Sequence, residues 1–74
     1  MTRKPFLPEN GKIYRNAGGS EYVCIMALDG WKSCTAVMAN IKSRWTFIAH
    51  GIGRYEDGTI DWDYSTKGYF VLMA

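Results

Sequence analysis

Asp57-Gly58, set between Tyr55-Glu56 and the alternating run Thr59-Ile60-Asp61-Trp62-Asp63-Tyr64, constrains this chain more than any other feature. Asp-Gly beside an alternating run is the strongest local signal for a hairpin closed by a two-residue type I′ turn. Side chains of a strand point alternately to its two faces, which predicts Ile60, Trp62 and Tyr64 on an inner face and Thr59, Asp61 and Asp63 on an outer one. A two-residue loop also predicts the register. Tyr55 faces Ile60, Gly53 faces Trp62 and Gly51 faces Tyr64, while Arg54 faces Asp61 as an outer ion pair. Each of those glycines then lies under an aromatic ring. Bare backbone there lets the strand bend as a small barrel requires.

The rest of the chain reads as further strands. Residues 1–11 are an irregular lead-in, broken by Pro5, Pro8 and Gly11, with Phe6 and Leu7 turned toward the core. Lys12 to Asn16 is a first strand and Ala17-Gly18-Gly19-Ser20 a turn. Glu21 to Leu28 follows, with Tyr22, Cys24, Met26 and Leu28 on one face and Val23, Ile25 and Ala27 on the other. Such a two-sided apolar run suits a central strand. Asp29-Gly30-Trp31-Lys32 is a turn, and Ser33 to Asn40 a third strand whose Ala36-Val37-Met38-Ala39 also suits a short helix. Ile41-Lys42-Ser43-Arg44 connects it to a long strand from Trp45 to Glu56. After the alternating strand, Ser65-Thr66-Lys67-Gly68 turns again and Tyr69 to Met73 is a terminal strand. The expected fold is all-β: one five- to six-stranded antiparallel barrel over residues 12–74, SH3-like or alternatively OB-like.

With 74 residues the chain makes one small domain, which needs a dense core. Eleven aromatic residues within a 47% hydrophobic chain supply one and argue against disorder. The formal net charge of +2 is too small to imply nucleic acid by itself. The basic residues nevertheless gather in the first 44 positions, seven against three acids. No signal-peptide pattern opens the chain and no apolar run approaches the length of a membrane helix. A cytoplasmic protein without a membrane role is therefore expected, with Cys24 and Cys34 as reduced, packed thiols.

Catalytic and metal-binding patterns are weak. His50 is the single histidine, with Asp63 diagonal to it and Asp61 one pair further on, but no nucleophile or pocket accompanies them. Cys24 and Cys34 lack the close spacing of a zinc site. Tyr64 stands where a calcium loop opened by Glu56-Asp57-Gly58 needs glutamate. No serine lies in a nucleophile elbow, and the paired glycines have no phosphate-loop lysine. The expectation is no enzyme, no cofactor and no metal. What remains is surface recognition. Lys42-Ser43-Arg44-Trp45 and Trp31-Lys32 interleave cations with rings, so Lys32, Lys42, Arg44 and Trp45 are candidates for gripping a single strand of nucleic acid. Trp31, Ile48, Ile52 and Tyr69 are candidates for an exposed protein-binding surface.

Tyr14-Arg15-Asn16, Gly18-Gly19, Tyr22-x-Cys24, Ser43-x-Trp45-Thr46-Phe47-x-Ala49-His50-Gly51, the stretch Asp57 to Ser65 and Gly68 together resemble a group of small SH3-like β proteins of bacteriophages and mobile elements from gut bacteria. The resemblance spans residues 12–70 and implies a mobile-element setting without catalytic or binding residues to carry over. It implies a non-enzymatic accessory factor or an inhibitor of host defence that works by binding another protein. An exposed strand edge leaves room for a homodimer.

Overall fold

In the computed structural model, which describes residues 3–28 and 34–67, the Asp57-Gly58 reversal is a hairpin with one more loop residue than the dipeptide predicts. Tyr55 N–H donates to Thr59 O at 2.9 Å and Gly58 N–H donates to Tyr55 O at 3.0 Å, leaving Glu56, Asp57 and Gly58 in the loop. Gly58 has φ 90°, the left-handed conformation that closes a three-residue hairpin loop and that glycine adopts without a Cβ clash. The Asp57 carboxylate tightens the reversal by accepting from the Thr59 N–H at 2.9 Å and hydroxyl at 2.6 Å. Ala17-Gly18-Gly19 repeats the design. Asn16 N–H donates to Ser20 O at 2.9 Å, Gly19 N–H to Asn16 O at 3.0 Å, and Gly19 has φ 89°.

The extra loop residue slips the predicted register by one. Arg54 faces Ile60, Gly53 faces Asp61, and further along His50 faces Tyr64. Gly53 is therefore not opposite Trp62, nor Gly51 opposite Tyr64, and the Arg54–Asp61 ion pair is replaced. The Arg54 guanidinium lies 5.2 Å from the Phe6 ring centroid, while the Asp61 carboxylate accepts the Trp62 N–H at 2.9 Å. The bare backbone of Gly53 is used by the N-terminal segment: an added Cβ would sit 2.7 Å from Arg3 Cγ.

All described strands pair antiparallel in two sheets. The smaller contains β1 (Lys4–Pro5), β6 (Gly53–Arg54) and β7 (Ile60–Asp61) in the order β1-β6-β7. The larger contains β2 (Ile13–Arg15), β3 (Glu21–Leu28), β4 (Thr35–Asn40), β5 (Thr46–His50) and β8 (Tyr64–Lys67) in the order β2-β3-β4-β5-β8. No helix occurs among the described residues, and Thr35–Asn40, where a helix was the alternative, is the central and most buried strand. The sheets do not close into the expected barrel.

The long strand expected from Trp45 to Glu56 is broken at Gly51, which has φ 71° and whose missing side chain leaves room for the Asp63 carboxyl group. One hairpin thus runs from the large sheet into the small one. Beyond this kink Ile52 N–H donates to Cys34 O and Ile52 O accepts from Phe6 N–H, both at 3.0 Å. The lead-in is consequently part of the fold: Lys4–Pro5 is a strand and Pro8 is buried. Ser65, Thr66 and Lys67, expected as a turn, lie within β8. The expected terminal strand Tyr69 to Met73 lies outside the described residues.

A bulge in β3 between Cys24 and Met26 decides which side chains face inward. It moves Met26 and Leu28 from the face of Tyr22 and Cys24 to that of Val23, because two residues of one strand now oppose one of the other. The core lies on the Cys24 side, where Cys24, Ala36, Met38 and Ala49 of the large sheet meet Ile52 and Ile60. Tyr22, Phe47 and Trp62 close it as three rings with centroids 5.1 to 5.5 Å apart.

Candidate functional surfaces

The other face of the large sheet is also apolar, and the register gives its layout. Across the strands run Ile13, Val23, Ala39 and Thr46, then Met26, Val37, Ile48 and Thr66, then Leu28, Thr35, His50 and Tyr64. Val37 and Ala39 are buried, whereas Ile13 is 57% exposed and Met26 52%. Tyr64, expected on the inner face, is 61% exposed here. Its ring stacks on His50 with centroids 4.6 Å apart, and the slipped register accounts for its change of side. Arg15 and Glu21 form a cross-strand ion pair of 3.9 Å at one margin.

This layout revises the protein-binding candidates. Ile48 is half-buried within the outer face. Ile52 is a correction: at 1% exposure it is core, because the left-handed Gly51 beside it turns the strand inward. Trp31 and Tyr69 lie outside the described residues. Ile13, Met26 and Tyr64 were not picked from the sequence. The apolar run from Glu21 to Leu28 signalled a two-sided strand, but the bulge that assigns its sides leaves no pattern of its own.

Lys42, Arg44 and Trp45 do come together, in the loop joining β4 and β5, while Lys32 lies outside the described residues. Asn40 organises the loop. Its side-chain Oδ1 accepts from Lys42 N–H at 2.9 Å and Ser43 N–H at 3.0 Å, and its carbonyl accepts from Arg44 N–H at 2.8 Å. Arg44 is thereby held at φ 62°, the one described non-glycine residue with positive φ. Trp45 is 64% exposed.

The acid and histidine candidates do not converge. His50 Nε2 lies 3.0 Å from Thr66 Oγ1, whereas the Asp63 carboxylate is paired with the Arg3 guanidinium. Among the described residues no cluster of three or more histidine, cysteine or acidic side chains is placed to hold a metal. Cys24 and Cys34 are free thiols, and burial pushes the Cys24 thiol above its usual value. Compared with known proteins, the chain matches no family model, no curated protein and no solved structure.

Proposed function

We propose that this chain is a non-enzymatic binding domain that docks another protein on the outer face of its large sheet. One observation carries the reading: exposed Ile13 and Met26 and half-buried Val23 and Ile48 are neighbours through register, around the buried Val37 and Ala39, rather than scattered single residues. Contiguous exposed apolar surface on a small domain marks an interaction site, whereas isolated apolar residues do not. The Arg15–Glu21 pair and Thr66 give it a polar margin that carries both charges, the anatomy of a protein interface. That margin favours a partner recognised by shape and burial over one recruited by charge.

The finer architecture belongs to the same reading. Two bent sheets sharing one hairpin suit an SH3-like or OB-like relative. The resemblance to small phage and mobile-element proteins makes lysates of gut bacteria the place to seek the partner, as an accessory factor or as an inhibitor of a defence component. The test compares capture by the protein with capture by an I13K/M26K variant and by a W45A variant. A protein retained by the wild type and W45A but lost with I13K/M26K supports the reading. Identical capture by all three, or no capture with sedimentation showing a dimer that I13K/M26K breaks, removes the external partner.

A second reading rests on the loop of Lys42, Arg44 and Trp45, whose indole stands in solvent next to two exposed cations in sequence. Such a surface suits single-stranded nucleic acid, with the base stacked on the ring and phosphate on the cations. Anisotropy titration of labelled strands at two salt concentrations tests it. Affinity must fall with salt, and W45A must lose about 1–3 kcal/mol.

A further inference from the structure

The small sheet carries a pairing that folding alone does not favour. Lys4 and Arg54 are direct cross-strand partners between β1 and β6, and both are exposed. Like charges placed opposite one another destabilise a strand pair. Neither has a carboxylate partner among the described residues, although Arg3 next door is paired with Asp63 and Lys12 with Glu9 at 2.9 Å. Arg3 and Lys12 thus have acids of their own, while Lys4 and Arg54 are left together, with Glu56 lining the same groove.

Their surroundings are shaped. Lys4, Pro5, Phe6, Arg54, Tyr55 and Glu56 line a groove of about 320 Å³, at the lower end of small-molecule sites. Arg54 lies over the Phe6 ring and near Gly58. Its guanidinium carbon lies 5.2 Å from the Phe6 centroid, and an added Cβ at Gly58 would sit 3.7 Å from its Nη2. Phe6 is in turn braced edge-on by Tyr14, with centroids 5.4 Å apart. The groove therefore offers two adjacent cations beside two rings and a carboxylate acceptor.

We propose that this groove binds a phosphate monoester carrying a ring: the phosphate between Lys4 and Arg54, the ring against Tyr55 and Phe6, and a hydroxyl of the ligand donating to Glu56. That is the chemistry of a nucleoside monophosphate, free or as the 5′ end of a strand. A dianion between the two cations converts an unfavourable pairing into charge-assisted hydrogen bonds, which are stronger than neutral ones. The site is on the opposite sheet from the protein-docking face and does not depend on it.

The experiment is an amide chemical-shift titration of the full chain with adenosine monophosphate at fixed ionic strength. Inorganic phosphate, adenosine, and 5′-phosphorylated and 5′-hydroxyl oligonucleotides are titrated alongside. Saturating shifts confined to residues 4–6 and 54–56 are expected, about tenfold weaker in K4Q, the loss of one charged hydrogen bond. Unliganded K4Q is expected to be at least as stable as the wild type, since it removes the like-charge pair. Preference for the phosphorylated strand over the free nucleotide assigns a strand end as the source, and the reverse assigns the free nucleotide; both support the site. Absence of saturation, equal affinity in K4Q, or equal binding of adenosine or of inorganic phosphate overturns it.

Discussion

Arg44 occupies a backbone position that a glycine would fill more cheaply. At φ 62° its Cβ crowds the chain, a cost of roughly 1–2 kcal/mol that glycine escapes, less the extra unfolded-state freedom that glycine brings. R44G is therefore expected to raise unfolding stability by about 0.5–1 kcal/mol in urea titration. If the loop also grips nucleic acid, R44G should weaken that binding while it stabilises the fold. Gly19 and Gly58, in the same conformation at two other loop ends, already have the cheaper residue. Asp57 offers a second test at this scale. Hydrogen bonds from the Thr59 hydroxyl and N–H hold its carboxyl below the usual carboxylate range. A folded value below the unfolded one adds stability above the unfolded value, and that contribution is lost as pH falls through the folded one. Carbon-detected NMR titration should show the Asp57 midpoint rising toward the ordinary range in T59V, with the acid side of the stability profile flattened.

Single residues far from one another in sequence decide the elements, and this is where sequence and structure part. The presence of the hairpin around Asp57-Gly58, the full extent of Glu21–Leu28 and the bend allowed by glycine before it were all legible, because alternation and turn residues act locally. The register was not. Asp-Gly serves a two-residue and a three-residue loop alike, and the choice moved every partner by one, exchanging Trp62 for Asp61 opposite Gly53. Nor was the bulge after Cys24 legible, since an inserted residue in a uniformly apolar strand breaks no pattern. Of the candidate surface, the loop of Lys42, Arg44 and Trp45 was readable from its composition. The outer sheet face was not, because its membership depends on that bulge. Gly51 tests this account of the elements. An added methyl would meet the Asp63 carboxyl group and force a left-handed residue to carry a Cβ. G51A is expected to lose about 1–3 kcal/mol in urea titration, and the Arg3–Asp63 pair with it.

At the scale of the molecule, the open question is which face of the large sheet the chain folds around, for both are apolar. Packing answers in favour of the Cys24 side: Met38 is fully buried there in a cluster with Cys24, Ala36, Ala49, Ile52 and Ile60, whereas the outer face joins buried Val37 and Ala39 to exposed Ile13 and Met26. A domain of this size has roughly 4–11 kcal/mol of net stability, so losses on its true core are severe. M38A is expected to cost about 2–5 kcal/mol through lost burial and the cavity left behind. Ile13 and Met26 keep more than half of their surface in water, so replacing both with serine removes little that folding buries. The I13S/M26S variant is expected to unfold within about 1 kcal/mol of the wild type, because surface changes away from caps, charges and strained backbone are nearly neutral. Urea titrations of the two variants separate the alternatives. A large loss in I13S/M26S would make the outer face part of the folding core and leave no surface there for a partner. A near-neutral result beside a crippled M38A leaves apolar residues on the outside that the fold itself does not need, and the reason for keeping them must then lie in what binds there.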